Sequence, residues 1–580
     1  MKVNDMTVKL AGEAGAGVAT IGTMLAKLAQ RSGLYVFAHN DYPSLIRGGH
    51  NTMTVRINKQ KIHSLCGKID LLVALNETAV LMHAKEMSKY GVIIYDSNKS
   101  LKETAKELQD VKMIAIPMSK IAQTHKDQLY LNQVAMGAVV SIIGLKMQVL
   151  EELIKETLGS KGEEIVKRNI SAAKAGYDYV KNNSNNKFDI KIEPQKSKKT
   201  ILLNASDALC IGAIKAGVKF VAEYPMSPSS SILHWMAEHA IKYNIVVKHT
   251  EDEIAAMNYV LGAGFAGVRA MTATSGGGFS LMTEALGNGG IAEIACVVVN
   301  VQRAGPSTGL PTYTEQADLQ FSIHASQGEF PRIVCMPADA QEAFYETFNV
   351  WNMAEQVQTP AIILLDKYIG EAFETVEKFD YEKLEVKRGL LQTDEQMQAC
   401  TKFFRYENTK NGISPRCIPG QINGIHVTSS YEHDETGYSC EDGQNRIEQI
   451  DKRARKLKVI NPNLYQPAFY GNQKSTLLAV CWGSTKGVAL EALKVLEKEN
   501  ISARLMHIKY AIPFATDTIK QALQSASKVI IFEANSQGQM RNYIREKTGI
   551  LIENAYLRYD ARPFEVEEIA NKLRNLANEE

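Results

Sequence analysis

Short apolar runs that alternate with stretches of helical spacing are the feature that most limits how this chain can fold. The alternation begins near residue 8, returns after residue 201 and appears again after residue 476. Strands that are separated by helices pair side by side in parallel sheets, and the helices cover the sheet faces. The pattern therefore predicts an α/β protein with mostly parallel sheets.

The same alternation divides the chain into three predicted α/β domains. They cover residues 1–183, 201–378 and 476–580. A polar stretch rich in Asn and Lys predicts a linker over 184–200, and residues 379–475 are predicted to be an irregular connecting segment.

The predicted strands have apolar, partly β-branched sequences. In chain order they are Val8–Leu10, Thr52–Ile57, Leu71–Leu75, Val92–Tyr95, Met113–Ile116, Phe220–Ala222, Val246–Lys248, Val268–Thr272, Ala295–Val301, Ala361–Leu365, Leu477–Cys481 and Lys528–Glu533.

Charge and cysteine content exclude several classes of function. Lys+Arg number 66 and Asp+Glu number 64, so no strong field draws the chain to nucleic acid or to an acidic membrane surface. The apolar runs are too short to span a bilayer, and the N-terminal residues lack the apolar region of a signal peptide. Eight scattered cysteines without a C-x-x-C predict reduced thiols in a cytoplasmic protein, and they do not offer an iron–sulfur cluster its four ligands.

A glycine-rich loop, Gly12–Gly17, joins the first predicted strand to a helix. Glycines at this place let the backbone approach a phosphate, which the free amides at the start of the helix can bind. The spacing is G-x-x-G-x-G and differs from the dinucleotide fingerprint G-x-G-x-x-G. The alternative is a tight strand-to-helix turn that binds nothing, and the sequence leaves both open.

A proline- and serine-rich turn, Tyr224–Ser230, precedes a helical pattern in the second domain. The prolines, including Pro225, stiffen the turn, while hydroxyls such as that of Ser227 face outward. Such a turn is typical of an ordinary helix start, and by itself it also suits a ligand-binding loop.

The candidate acid–base residue is Glu253, at the start of the next helix. Thr250 and Glu253 have the spacing of a capping box, in which the glutamate only satisfies a backbone amide. The functional alternative is a buried glutamate that bonds to a ring nitrogen of a heterocycle. The local pattern alone favours the capping interpretation.

A second glycine-rich loop follows a strand at Thr272–Gly278 and includes Thr274, Ser275 and Gly276. Three consecutive glycines cost backbone entropy, and a simple turn needs only one. The run therefore indicates close approach of a flat or anionic ligand to the backbone.

The last segment, Gln302–Thr312, lies directly after a predicted strand. Arg303 at the carboxyl end of a parallel strand is well placed to form two hydrogen bonds to a substrate carboxylate, and Thr312 adds a hydroxyl nearby. The alternative is a structural loop in which Arg303 forms an ion pair.

Together these segments resemble the fused γ–α subunit of 2-oxoacid:ferredoxin oxidoreductases, particularly of the 2-oxoglutarate type. Tyr224–Ser230 resembles the family motif Y-P-I-T-P-S-S, with Met226 in place of Ile and Ser227 in place of Thr. The blocks that begin at Glu253, at Met271 and at Gln302 are similar to family blocks in the same order. In the loop after Gly12, Ala14 and Ala16 replace residues common in the family.

The resemblance implies a γ-type domain, a pyrimidine-binding domain for thiamine diphosphate and a transketolase C-terminal-like domain. It implies that Tyr224, Pro225, Glu253, Thr274, Ser275 and Gly276 bind the cofactor, with Glu253 catalytic. It also implies that Ser227, Arg303 and Thr312 bind the oxoacid, with coenzyme A as co-substrate and no metal site on this chain.

A partner chain follows from the same resemblance. No Gly-Asp-Gly motif, the usual Mg2+ and diphosphate signature, occurs in the sequence. A β subunit would then carry the diphosphate, Mg2+ and a 4Fe–4S cluster, form an αβ or (αβ)2 assembly, and pass electrons to ferredoxin.

Several alternatives remain open at the level of sequence. The oxoacid could be pyruvate, a branched-chain or an aryl 2-oxoacid instead of 2-oxoglutarate. The chain could be a self-contained thiamine enzyme, against which the missing Gly-Asp-Gly argues, or a scaffold subunit without catalytic function.

Overall fold

The computed structural model describes residues 2–45, 48–98, 111–124, 130–183, 188–196 and 199–579. Within these residues the strands are β1 Lys2–Val3, β2 Asp5–Glu13, β3 Tyr35–Asp41, β4 His50–Asn58, β5 Ile69–Ala74, β6 Met87–Asp96, β7 Lys112–Ile116, β8 Ile190–Lys191, β9 Thr200–Leu203, β10 Phe220–Glu223, β11 Val246–His249, β12 Ala270–Thr274, β13 Cys296–Gln302, β14 Ile333–Cys335, β15 Pro360–Asp366, β16 Phe373–Glu377, β17 Ala468–Gly471, β18 Leu477–Trp482, β19 Arg504–Ile508, β20 Tyr510–Ile512, β21 Lys528–Glu533 and β22 Asn554–Leu557.

The α-helices of the described residues are α1 Val18–Arg31, α2 Glu77–His83, α3 Met118–Thr124, α4 Leu131–Ile142, α5 Met147–Leu158, α6 Glu163–Asn183, α7 Ala205–Lys215, α8 Ser230–Tyr243, α9 Glu253–Phe265, α10 Gly276–Ile291, α11 Leu319–His324, α12 Ala340–Val357, α13 Lys367–Glu371, α14 Asp394–Gln398, α15 Gly443–Arg455, α16 Thr485–Lys498, α17 Thr516–Gln524, α18 Gln539–Thr548 and α19 Val566–Asn578.

The chain forms two compact units, which differ from the predicted domains in their bounds. One unit contains Met1–Leu203 and Ala372–Lys378, and the other contains Asn204–Glu371 and Phe379–Glu580. Strand β9 and the distant strand β16 both belong to the first unit, where they pair with each other. Local sequence does not reveal such a pairing, because its two strands are separated by more than 160 residues.

The first unit is built on one mixed sheet with the strand order β7-β6-β5-β2-β4-β3-β16-β9. The pairings from β7 to β2 are parallel, and those from β2 to β9 are antiparallel. Helices α1 and α4 contribute Leu25 and Val139 to its main core, where they join strand residues such as Val8 and Leu10.

The second unit contains two sheets that share one hydrophobic core. The larger has the order β11-β10-β12-β13-β15-β14-β20, and the smaller has the order β17-β19-β18-β21-β22. Most pairings are parallel, and the antiparallel exceptions are β14 with β20 and β17 with β19. Core residues come from both sheets, for example Val298 and Trp482. This shared core explains why the predicted second and third domains form one unit.

The α/β fold with mostly parallel sheets is therefore confirmed. The predicted strands near residues 8, 52, 71, 92, 113, 220 and 246 all correspond to observed strands, with shifts of a few residues at their ends. Strand β3, which the sequence analysis did not include, pairs with β4 and supplies part of the antiparallel half of the first sheet.

A buried cluster of charges anchors the predicted connecting segment, residues 379–475, to the rest of the second unit. Lys452 Nζ donates to Glu293 Oε1 at 2.6 Å, Lys456 donates to the other carboxylate oxygen, and all three side chains are fully buried. Arg405 donates to the Glu293 backbone carbonyl at 2.8 Å. The two lysines and Arg405 hold the pKa of Glu293 well below its usual range, although burial alone would raise it.

Glu293→Ala is expected to destabilise the chain by about 3–5 kcal/mol, because two buried ammonium groups lose their carboxylate. The free energy of unfolding in urea measures this change. Glu499→Ala is the matched control, since Glu499 pairs with Arg574 in solvent, and it should leave the unfolding midpoint unchanged. An equal effect of both variants would contradict the assignment of the buried cluster as a structural anchor.

Candidate functional site

The motif-bearing loops meet at one edge of the larger sheet in the second unit. Strands β11, β10, β12 and β13 are neighbours in that order, and every pairing among them is parallel. The loop Tyr224–Ser229 follows β10, Glu253 follows β11, Ser275 follows β12 and Arg303 follows β13. Because carboxyl ends of parallel strands share an edge, segments that are far apart in sequence become neighbours there.

Glu253 is the first residue of α9, but it does not cap the helix. Asp252 is the cap, and its Oδ1 accepts a hydrogen bond from the Ala255 amide at 2.7 Å. The hydroxyl of Thr250 donates to the Asp252 carbonyl at 3.0 Å, so the Thr250–Glu253 capping box does not form. The local pattern therefore pointed to the wrong capping residue, and Glu253 remains available for another role.

The carboxyl of Glu253 is buried without a hydrogen-bond partner for one of its oxygens. The residue is 3% exposed, and Oε1 has no partner within the described chain. Burial raises the pKa of Glu253, because the charged form loses hydration and no basic side chain compensates it. A buried polar atom of this kind is costly, and a polar ligand that reaches Oε1 would remove the cost.

Gly278, which follows β12, lets α10 pack closely against this carboxyl. A Cβ atom on Gly278 would lie 2.2 Å from Thr274 Oγ1 and 2.5 Å from Glu253 Oε1. At Gly276 a Cβ would lie 2.7 Å from Asp318 Oδ2, whereas at Gly277 it would meet no atom within 4 Å. Gly278 therefore sets how closely α10 approaches Glu253 and Thr274.

Two further polar atoms at this edge lack partners within the described chain. Ser275 stands at the cap position of α10, but its hydroxyl makes no capping hydrogen bond and is fully buried. Asn300 on β13 donates from Nδ2 to Asp318 at 3.1 Å, while its Oδ1 has no partner. With Glu253 Oε1, these atoms form a set of donors and acceptors that a polar heterocycle could satisfy.

The loop after β10 contacts the segments on both sides. Tyr224 is partly exposed, and its ring centroid lies 6.3 Å from that of His249. Met226 Sδ lies 4.0 Å from Thr274 Oγ1. Ser227 accepts a hydrogen bond at its backbone carbonyl from Arg303 Nη1 at 2.6 Å. The contact of Ser227 that the structure gives is thus made by its backbone, whereas the sequence pointed to its hydroxyl.

Arg303 is half-buried and retains unused hydrogen-bonding capacity. Its Nε is buried without a partner in the described chain, while Nη1 is committed to Ser227. Burial lowers the pKa of the guanidinium, and the nearby Asp318 partly offsets this effect. Thr312, on the loop that follows, is 6% exposed and its hydroxyl likewise has no partner. An anionic group could bind to both side chains.

The structure thus brings the predicted residues together in two contact groups. One group contains Glu253 and Thr274, whose side chains both lie next to Gly278, and the other contains Ser227 and Arg303, which share a hydrogen bond. Tyr224 and Pro225 lie on the same loop as Ser227, and Ser275 and Gly276 follow Thr274 directly. No described hydrogen bond links the Thr312 hydroxyl to either group.

Sequence reasoning missed Asp318, Asn300 and Glu223. Asp318 is partly buried beside Gly276 and Asn300, and this burial raises its pKa. Glu223 is fully buried at the end of β10, directly before Tyr224. Glu223 could have been identified as a charged residue at the end of an apolar strand, but it lies just before the motif Tyr224–Ser230.

Gly17, at the end of the glycine-rich loop of the first unit, has a structural explanation. Gly17 has a φ of 77°, and a Cβ there would lie 1.9 Å from Asn132 Nδ2. It precedes α1 without any side-chain cap. Packing against Asn132 accounts for this glycine, so its presence carries no evidence of a ligand.

Other sequence features can also be located in the structure. The sequence Glu-Asp-Gly at Glu441–Gly443, which resembles Gly-Asp-Gly, leads into α15, and the Asp442 side chain caps this helix by accepting from the Asn445 amide at 2.8 Å. Among the described residues, no group of three or more His, Cys, Asp and Glu side chains is arranged to hold a metal ion. No helix in this part of the chain has both the length and the apolarity to cross a membrane. All eight cysteines are unpaired.

Three family models match the chain. Residues 211–452 match "Pyruvate flavodoxin/ferredoxin oxidoreductase, thiamine diP-bdg", and residues 7–179 match "Pyruvate ferredoxin/flavodoxin oxidoreductase". Residues 470–542 match "Transketolase, C-terminal domain". The first of these matches covers every residue of the candidate site.

Relatives are similar to the chain over nearly its whole length. The 2-oxoacid:ferredoxin oxidoreductase subunit alpha of a Sulfolobus species is 30% identical, over 97% of this chain and 96% of the relative. An alpha subunit from Aeropyrum pernix is 29% identical, over 99% and 98% respectively. A solved structure, described as 2-oxoglutarate:ferredoxin oxidoreductase from Magnetococcus marinus with 2-oxoglutarate, coenzyme A and succinyl-CoA bound, superposes with a TM-score of 0.91 at 30% identity, over 99% of this chain and 100% of that chain.

Gly278→Ala is expected to destabilise the chain by about 1–3 kcal/mol, because the added methyl group overlaps Glu253 and Thr274. Gly277→Ala is the matched control, since a Cβ there meets no atom within 4 Å and alanine favours the helix. Urea unfolding of both variants measures the difference. Equal stability of the two variants would show that Gly278 does not constrain the site.

Proposed function

Because the chain belongs to the 2-oxoacid:ferredoxin oxidoreductase family, as a subunit of the alpha type, we propose that it oxidatively decarboxylates a 2-oxoacid together with a partner subunit. Coenzyme A accepts the acyl group and ferredoxin accepts the electrons. The proposed oxoacid is 2-oxoglutarate. Its support is the Magnetococcus marinus structure, whose description includes 2-oxoglutarate and succinyl-CoA and which matches the chain along its full length.

The residues at the sheet edge suit the pyrimidine half of thiamine diphosphate. The observation that carries this proposal is the orphaned Glu253 Oε1, buried where Gly278 lets α10 pack closely against it. The unpartnered Ser275 hydroxyl and the side chain of Thr274 lie at the same edge, with Tyr224 and Pro225 on the adjoining loop. When bound, the cofactor supplies an electron sink for the carbon from which carbon dioxide departs.

Glu253 is the proposed acid–base residue at the cofactor's pyrimidine. A carboxyl with a raised pKa is suited to share a proton with a weakly basic ring nitrogen, because the two sites then hold the proton with similar strength. Burial also keeps water from competing for that hydrogen bond. The role of Glu253 is thus to hold a proton at one ring atom.

Arg303, Thr312 and Ser227 are the proposed substrate-binding residues. The hydrogen bond from Arg303 Nη1 to the Ser227 carbonyl fixes the direction of the guanidinium, and Nε remains to bind a carboxylate oxygen. The Thr312 hydroxyl can donate a second bond. The low exposure of these atoms strengthens their electrostatic attraction for an anion.

A partner subunit completes the proposed enzyme. The sequence contains no Gly-Asp-Gly motif for the diphosphate and Mg2+, and its cysteines lack the spacing of a 4Fe–4S site. We assign these groups to a β subunit in an αβ or (αβ)2 assembly. The eight unpaired cysteines support a reducing, cytoplasmic location.

Glu253→Gln is expected to lower the turnover of the reconstituted complex by about a hundredfold to ten-thousandfold, which is typical for loss of an acid–base group. Oxoacid-dependent reduction of a low-potential dye in the presence of coenzyme A measures it. Glu251→Gln, on the exposed neighbour, is the control and should keep wild-type turnover. Unchanged turnover of Glu253→Gln would favour a scaffold subunit.

Arg303→Lys is expected to raise the KM for 2-oxoglutarate by about tenfold to a hundredfold, because lysine keeps the charge but loses the fork of donors. The KM for coenzyme A should not change. Arg574→Lys, in an exposed ion pair, is the control. If Arg303→Lys raised both KM values equally, Arg303 would have a general structural role.

A further inference from the structure

Glu223 is a second buried carboxyl at the site, and the proposed function gives it no role. It ends β10 and is 0% exposed. Its Oε1 lies 3.3 Å from Ser229 Oγ, and its Oε2 has no hydrogen-bond partner in the described chain. Burial and the Ser229 contact determine its ionisation, and no basic side chain contributes.

The hydrogen atoms of this contact can be assigned from the distances. Ser229 has one hydroxyl hydrogen, and its Oγ lies 2.7 Å from the Met226 carbonyl oxygen, which can only accept. With the hydrogen on that shorter bond, the 3.3 Å contact is a full hydrogen bond only when Glu223 is protonated and donates to Ser229 Oγ. A protonated carboxyl provides that donor, and burial without a cation raises the pKa of Glu223 well above its usual value.

The chain of bonds ends on the loop that orients Arg303. The Met226 carbonyl also accepts from the Ser230 amide at 3.1 Å, which closes the turn. The next residue, Ser227, offers its carbonyl to Arg303 Nη1. Any movement of this turn therefore moves the acceptor that sets the direction of the guanidinium.

We propose that Glu223 is a neutral positioning residue, which donates to Ser229 and thereby locks the Tyr224–Ser229 turn that aims Arg303 at the substrate carboxylate. It acts through Ser229 and Met226 and touches neither substrate nor cofactor. The inference deepens the proposed function, and it rests on that function only for its kinetic readout.

The kinetic test compares Glu223→Ala, Ser229→Ala and Glu223→Gln in the reconstituted complex. Loss of one buried hydrogen bond should raise the KM for 2-oxoglutarate about tenfold in each alanine variant, with a smaller change in kcat. Glutamine is neutral and can donate, so Glu223→Gln should restore most of the wild-type KM. Thr347→Ala, a buried hydroxyl on α12, is the control and should keep the KM. A wild-type KM in Glu223→Ala, or no rescue by glutamine, would overturn the proposal.

A second test needs no substrate and separates this inference from the proposed function. A carboxyl whose pKa is raised by folding stabilises the chain below its unfolded pKa, and this contribution is lost as the pH rises. The titratable groups on the neighbouring helix α7 are Cys210, whose pKa is raised by burial so that the thiol stays neutral, and Asp207, whose pKa burial raises to about 6. Asp207 is present in wild type and in Glu223→Gln, so its titration cancels in the comparison. As the pH rises from 5 towards 8, wild type should therefore lose stability relative to Glu223→Gln, by at most about tenfold in the unfolding constant per pH unit, until the folded-state carboxyl itself titrates.

Urea unfolding of the full chain at both pH values measures this difference. Hydrogen exchange at the Ser230 amide should also be faster in Glu223→Ala than in Glu223→Gln. A stability difference that does not depend on pH would show that Glu223 is ionised and would overturn the proposal, even if oxoacid turnover were observed. The predicted pH dependence without any oxoacid turnover would support the neutral carboxyl and refute the proposed function instead.

Discussion

Parallel pairing of β11, β10, β12 and β13 is the constraint on which the rest of the site depends. It places four strand ends at one edge, and each strand is followed by a loop that carries a different chemical group. The two inner strands β12 and β13 are buried along their whole length. The sheet therefore supplies the rigidity, and the loops are free to differ in chemistry.

The second constraint is the burial of polar atoms that have no hydrogen-bond partner in the described chain. Glu253, Ser275, Asn300, Arg303 and Thr312 each have a polar atom that the described chain leaves without a partner. Glu293 in the same unit shows the opposite case, because its buried carboxylate is paired with two lysines. A cofactor and a carboxylate substrate are the partners that this set of donors and acceptors suits.

Much of the fold could be predicted from sequence, because strands such as β5, β13 and β18 are mostly apolar. Pairing between distant segments could not be predicted, and β16 with β9 is the example. At the site, the motifs identified which loops matter. They did not reveal that Asp252 caps α9 or that Gly278 faces Glu253, since both depend on three-dimensional contacts. Glu223 was missed because its role arises from burial and from a contact to Ser229.

The proposed function depends above all on a hydrogen bond between Glu253 and a pyrimidine ring nitrogen of a cofactor that is shared with a partner subunit. The most direct measurement is the turnover of the reconstituted complex with a thiamine diphosphate analogue in which that nitrogen is replaced by C–H. The analogue is expected to lower wild-type turnover as much as Glu253→Gln does. The turnover of Glu253→Gln should fall little further when the analogue replaces the cofactor. The proposed hydrogen bond would be contradicted if the turnover losses from the analogue and from Glu253→Gln multiplied, or if wild type kept full turnover with the analogue.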